Sequence, residues 1–126
     1  APSDVGIAED WAEALEVSTA RRLGVSRSEA RAVVARKTGV PEGKLYSLSK
    51  KRLKDISNNL LRRIGAALIR DLQAELARVE HELQTHTQIG LRADSGEMFA
   101  LVARREKIRD ALGLTEDDLS AAEGTP

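Results

Sequence analysis

The sequence predicts an all-α chain in which a small helical head is followed by a long helix and an antiparallel return helix, together a helical hairpin. Three observations lead there. Ala, Leu, Arg and Glu, all strong helix formers, dominate the composition. Apolar residues recur at intervals of three and four, and no strand-like alternation persists beyond a few positions. Hydrophobic residues make up 41% of the chain, yet Trp11, Tyr46 and Phe99 are its only aromatics, so the core must be aliphatic.

Each element has its own signals. Residues 1–6 lack periodicity and are expected to be disordered. From 7 to 23, Ile7, Trp11, Ala14, Leu15, Ser18 and Leu23 recur at helical spacing, and Gly24 supplies a helix stop. Ser26 and Glu29 form a capping box that opens a second helix over 27–38, with Ala30, Val33, Val34 and Lys37 on its inner side and Gly39 at its end. Pro41 suits a first helical position, which predicts a short third helix over 41–48 with Leu45 and Leu48 facing inward. Four cations in a first helical turn would oppose the helix dipole, so 49–54 is expected to be a loop, with Asp55 capping the next helix. That helix, 56–87, carries the stripe Ile56, Leu60, Ile64, Leu68, Leu72, Leu76, Val79 and Leu83. Steps of mostly four residues make the stripe wind around the rod, so it meets different partners along its length. Gly90, Asp94, Ser95 and Gly96 mark a turn over 88–96. The return helix, 96–112, offers Met98, Leu101, Val102, Ile108 and Leu112 and is stopped by Gly113; Thr115 then caps a last acidic turn. The expected organisation is a head over 7–54, a hairpin over 55–112 and an acidic tail over 113–126.

The charges are segregated along this plan. The chain is neutral, with 20 basic and 20 acidic residues, but residues 1–20 hold five acids and no base. Residues 21–70 hold 14 bases against three acids, an excess of 11 positive charges, whereas 71–126 hold 12 acids and six bases. A dense positive block is what a polyanion-binding surface requires, because each neutralised phosphate releases condensed counterions.

A steric pattern lies inside that block. Helix-turn-helix DNA binders place a small residue in the first helix, a Gly four residues later, and apolar residues one, six and nine positions past the Gly. In VARKTGVPEGKLYSLSK, Ala35, Gly39, Val40, Leu45 and Leu48 fill every slot. Ala20, Gly24, Val25, Ala30 and Val33 fill the same slots in a second frame. The outward residues favour the first frame: Pro41, Glu42, Gly43, Tyr46, Ser47 and Lys50 are polar or turn-compatible and run directly into Lys51, Arg52 and Lys54. In the second frame the reading helix would be apolar around most of its circumference, with only Arg27 and Arg31 to face a groove.

Residues 8–54 resemble the compact helix-turn-helix of repressor-type (lambda-repressor or Xre-like) bacterial and phage regulators, and KLYSLSKKRLK resembles the end of such a recognition helix with its basic turn. The resemblance covers about 47 residues and departs where the repressor domain would continue in short helices but this chain has a long rod. It implies base reading in the major groove by Glu42, Gly43, Tyr46 and Ser47, with Tyr46 equally suited to a core position. It implies phosphate contacts from Lys44, Lys50, Lys51, Arg52 and Lys54, with Arg31, Arg36, Arg21 and Arg22 as outer ones. The stretch SRSEARAVVARKTGVPEGKLYSL is also similar to the small helical tail domain of a ribosomal-RNA cytidine methyltransferase, which keeps RNA open as a partner.

Other chemistries find little support. No cysteine is present, so disulfides and thiolate metal sites are excluded. His81 and His86 are five residues apart, about 140° around a helix, instead of the four that a helical zinc motif needs. Neither a Gly-rich phosphate loop nor a nucleophile motif is present, so neither an enzyme nor a cofactor is expected. The longest apolar stretch, 64–69, is far short of the roughly 20 residues of a membrane span, and the acidic first twenty residues do not resemble a secretory leader. The expectation is a cytoplasmic, sequence-specific double-stranded DNA-binding transcriptional regulator. Self-association through a coiled-coil-like seam of Leu68, Leu72, Leu76, Val79 and Leu83 would make it a homodimer, or a ring. The alternatives are a DNA-packaging protein resembling phage small terminase subunits, an RNA binder and a structural helical adaptor.

Overall fold

The apolar spacing of the sequence becomes five helices: α1 (Asp4–Leu23), α2 (Arg27–Thr38), α3 (Glu42–Ser49), α4 (Asn58–Gln88) and α5 (Gly96–Glu123). The structure is a computed structural model and describes residues 4–90 and 95–123, among which there is no strand. The chain is all-α. It divides into two compact units, one formed by residues up to Leu68 together with those from Leu119 onward, the other by Ile69–Asp118.

In the first unit α1, α2 and α3 all touch one another. Helix α1 starts at Asp4, not at Ile7: an acid in the first turn suits the positive end of the dipole, and Val5, Gly6 and Ile7 are half-buried. The expected disorder over 1–3 lies outside the described residues. Ala8, Trp11, Ala12, Leu15 and Thr19 form the buried side of α1. Gly24, at φ 67°, ends it while the Val25 amide bonds to the Ala20 carbonyl at 3.1 Å. At the start of α2 the Ser26 hydroxyl accepts from the Glu29 amide at 3.1 Å, but the Glu29 carboxylate accepts from that hydroxyl at 3.3 Å and does not reach back to the Ser26 amide. Only half of the expected capping box forms.

Helix α4 is capped by Ser57, not by Asp55. The Ser57 hydroxyl accepts from the Leu60 amide at 3.2 Å and its carbonyl from the Leu61 amide at 3.0 Å. Half-buried Ile56 and buried Leu61 occupy the two positions of a hydrophobic staple, and the helix starts two residues later than periodicity implies. Gly65 of α4 lies against α1. A Cβ there would sit 2.6 Å from Trp11 Cζ3 and 3.2 Å from Leu119 Cδ1, so only a bare backbone lets the indole pack this closely. Leu61, Ile64, Ala67 and Leu68 are buried.

In the second unit α5 returns antiparallel along α4. Val79 and Leu83 are buried with Met98, Leu101 and Ile108, and Leu72 and Leu76 pack against this cluster. The stripe expected at an oligomer interface is thus covered within one chain: four of its members by α5, and Leu68 in the core of the first unit. Ser95 caps α5, accepting from the Met98 amide at 3.2 Å, while Asp94 of the expected turn lies outside the described residues. Arg104 pairs with Glu75 and Arg109 with Glu80, each at 3.1 Å; these pairs are at the surface and add little stability.

Helix α5 does not stop at Gly113. It runs to Glu123, and Thr115 is no cap; it is buried and bonds back to the Ala111 carbonyl at 2.7 Å. The physical reason is periodic. Ile108, Leu112, Thr115, Leu119 and Ala122 keep a three- and four-residue spacing straight through the glycine, and their full or partial burial outweighs its penalty of about 1 kcal/mol. The expected tail over 113–126 is therefore helical as far as Glu123; 124–126 lie outside the described residues. No helix among the described residues is long and apolar enough to cross a membrane.

Candidate nucleic-acid interface

The interface begins at the turn between α2 and α3. Gly39 adopts the left-handed conformation at φ 74°, its amide bonding to the Ala35 carbonyl at 2.9 Å. The Thr38 hydroxyl donates to the Val34 carbonyl at 2.8 Å and accepts from the Val40 amide at 3.1 Å, which binds the turn's backbone groups internally. Val40, Leu45 and Leu48 are then buried almost completely. With Leu45 and Leu48 inward, Gly43, Tyr46, Ser47 and Lys50 centre the opposite face of α3. Glu42, Gly43, Tyr46 and Lys50 are exposed and Ser47 is half-buried. By contrast α2 exposes only Ser28, Glu29, Arg36 and Lys37; its remaining residues are buried or half-buried.

The end of α3 shapes the basic run. The Arg52 amide bonds to the Ser47 carbonyl at 2.9 Å and the Lys51 amide to the Leu48 carbonyl at 3.0 Å, the paired bonds of a Schellman motif. Its left-handed position, normally glycine, is held by Lys51 at φ 56°, the one described non-glycine residue with positive φ. The cations expected in the 49–54 loop are thereby gathered at the C-terminal end of α3, where the dipole favours them. Lys50, Lys51, Arg52 and Lys54 are all exposed.

Tyr46 is a surface residue, 44% exposed, and not a core one. Three cations lie over its ring: Arg31 at 5.4 Å from the centroid, Lys50 at 5.6 Å and Arg52 at 6.0 Å. Cation–π contacts of this kind contribute about 0.5–1 kcal/mol each at exposed sites. Of the other residues expected at phosphates, Lys44, Arg36, Arg21 and Arg22 are exposed. Lys44 lies about 200° around the helix from Tyr46 and belongs to a different side.

Arg31 stands apart from the other cations. Its side chain is 13% exposed, and Nε and Nη2 both donate to Glu16, at 3.3 Å and 3.0 Å. Glu16 is 1% exposed and also accepts from Nε and Nη2 of Arg27, at 3.3 Å and 3.1 Å. One buried carboxylate on α1 therefore holds two arginines of α2, one of which covers the aromatic ring of α3. Glu16 is not among the residues singled out from sequence, and Arg27 enters there only as a groove-facing residue of the second frame, although a lone acid inside the stripe Trp11, Ala12, Leu15, Thr19 and two arginines four apart are a legible signal. Arg63 of α4 was also not singled out. Its guanidinium lies so close to the turn that a Cβ on Gly39 would be 2.5 Å from Nη1, which adds a cation beside the start of α3.

Among the described residues no three His, Cys, Asp or Glu side chains gather as a metal ion would need. His81 is exposed, and His86 Nδ1 lies 3.9 Å from Glu97 Oε2. No family model matches the chain, and neither a curated protein nor a solved structure matches it.

Proposed function

We propose that this chain is a cytoplasmic, sequence-specific double-stranded DNA-binding regulator of the helix-turn-helix type, a binding module and not an enzyme, with α3 as its reading helix. The observation that carries the reading is the face of α3: an exposed tyrosine ringed by three cations, next to an exposed basic run. In this reading Lys50, Lys51, Arg52 and Lys54 neutralise phosphates and set register, while Glu42, Tyr46 and Ser47 reach base edges and bare Gly43 lets the helix approach the groove floor. Glu42 is suited to accept from a cytosine amino group and the Tyr46 ring to meet a thymine methyl. Selection of bound sequences from a random duplex pool at stated salt tests this directly; an enriched motif supports it and none contradicts it.

The strained lysine supports the same reading. A non-glycine residue in the left-handed region costs about 1–2 kcal/mol, and glycine's greater unfolded-state entropy takes back part of that. Lys51→Gly is expected to raise unfolding free energy by about 0.5–1 kcal/mol in urea while lowering the salt slope of DNA binding by about 0.9. A variant that gains stability and binds as before would remove Lys51 from the interface.

The proposal includes a homodimer, since two heads are needed to read two half-sites. Leu72, Leu76, Val79 and Leu83 pack against α5 in their own chain, and Leu72 and Leu76 are only partly buried there, so a contact between copies along this stripe rests on the surface these two leave open. Mass in solution tests this part: twice the 13.7 kDa chain mass is expected, a monomer contradicts it, and a ring favours the terminase-like alternative.

A further inference from the structure

We infer that Glu16 and Arg31 are positioning residues for base reading: together they hold the Tyr46 ring in place, and Arg31 makes no phosphate contact of its own. This rests on the proposed DNA-binding role of α3 and names what sets specificity there.

The three cations over Tyr46 are not equivalent. Arg31 presents one edge of its guanidinium, Nε and Nη2, to both oxygens of a carboxylate that is 1% exposed. Such a bidentate, charge-assisted fork fixes the plane of the group. The Tyr46 ring lies against that fixed group, 5.4 Å from the guanidinium carbon to the ring centroid. Withdrawing Arg31 to a phosphate would break both bonds and leave the buried carboxylate with Arg27 alone, a costly exchange. Lys50 and Arg52 are exposed, follow α3 directly and have no carboxylate partner among the described residues. They can leave the ring for phosphates without breaking an ion pair. One cation therefore anchors the ring from the α1–α2 side, and two remain available to the backbone of the duplex.

The division makes Arg31→Lys informative. Lysine keeps the charge but has neither the fork nor the flat face. With the full chain, affinities for a selected duplex and for a randomised duplex should be measured across a salt series. For Arg31→Lys the expected result is a discrimination ratio reduced about tenfold, with the randomised-duplex affinity and the salt slope unchanged. Equal weakening on both duplexes with a slope lowered by about 1 would make Arg31 a phosphate contact and overturn the inference. An unchanged ratio would overturn it as well.

A measurement on the free protein separates this inference from the DNA-binding proposal. Tyr46 is the only tyrosine, so nuclear Overhauser contacts between its ring protons and the Arg31 side chain can be assigned in an NMR spectrum. Glu16→Gln should abolish those contacts; their persistence would overturn the role of Glu16. Arg31→Lys leaves Arg27 on Glu16 and decides the case even where Glu16→Gln does not fold. If the wild-type chain binds no duplex at low salt, the DNA-binding proposal fails, while the NMR result still decides whether Glu16 and Arg31 hold the ring.

Discussion

Gly65→Ala is expected to destabilise the chain by about 1–3 kcal/mol, although the same change on an open helix would stabilise it by about 1 kcal/mol. The sign is set by Trp11. A Cβ at Gly65 would meet Cζ3 of the indole at 2.6 Å and Cη2 at 3.1 Å, both on the outer ring of a buried side chain that cannot swing away. Leu119 Cδ1, at 3.2 Å, is the end of a flexible side chain and yields more easily. Trp11→Phe withdraws the outer ring, so in that background Gly65→Ala should become neutral or stabilising. Urea unfolding of the four proteins gives the coupling directly. If the two changes add to within about 0.5 kcal/mol, the close approach of α1 to α4 is refuted.

Replacing Lys51 and Arg52 together with Ala is expected to flatten the log–log salt dependence of DNA binding by about 1–2 and to weaken selected and randomised duplexes alike. The two residues follow α3 in its closing motif, and both are exposed. Loss of Arg52 also removes one cation from the Tyr46 ring, an effect of about 0.5–1 kcal/mol that is small beside the loss of two phosphate contacts. Lys44→Ala serves as the comparison, because Lys44 lies on another side of α3 and should change the slope less. A double variant with the wild-type slope would take the basic run out of the interface.

Helix count and order were legible in the sequence because each depends on local spacing. Gly24 and Gly39 take the left-handed conformation that their positions announced, and Ser26 caps α2. Ends decided by burial were less legible. Gly113 reads as a stop, but the stripe through Thr115 and Leu119 carries α5 past it. Asp55 reads as a cap, but packing at Ile56 and Leu61 moves the cap to Ser57.

The candidate site was legible in part. The exposed face of α3 and the basic run follow from which leucines must be inward. The Glu16 network does not, because it joins residues 11 and 15 positions apart across two helices, a distance at which periodicity carries no information. The long stripe on α4 was legible as apolar, but which surface covers it depends on the return of α5.

In the proposed function the face of α3 meets duplex DNA with charge and reads it with Tyr46 and its neighbours. The most direct test is the ratio of affinities for selected and randomised duplex, measured against salt for the wild type and for Tyr46→Ala. Steeply salt-dependent binding is expected from the wild type and, for Tyr46→Ala, a ratio about tenfold lower with the salt slope nearly unchanged. Binding by Tyr46→Ala with the wild-type ratio, or no salt-dependent binding by the wild type, would contradict it.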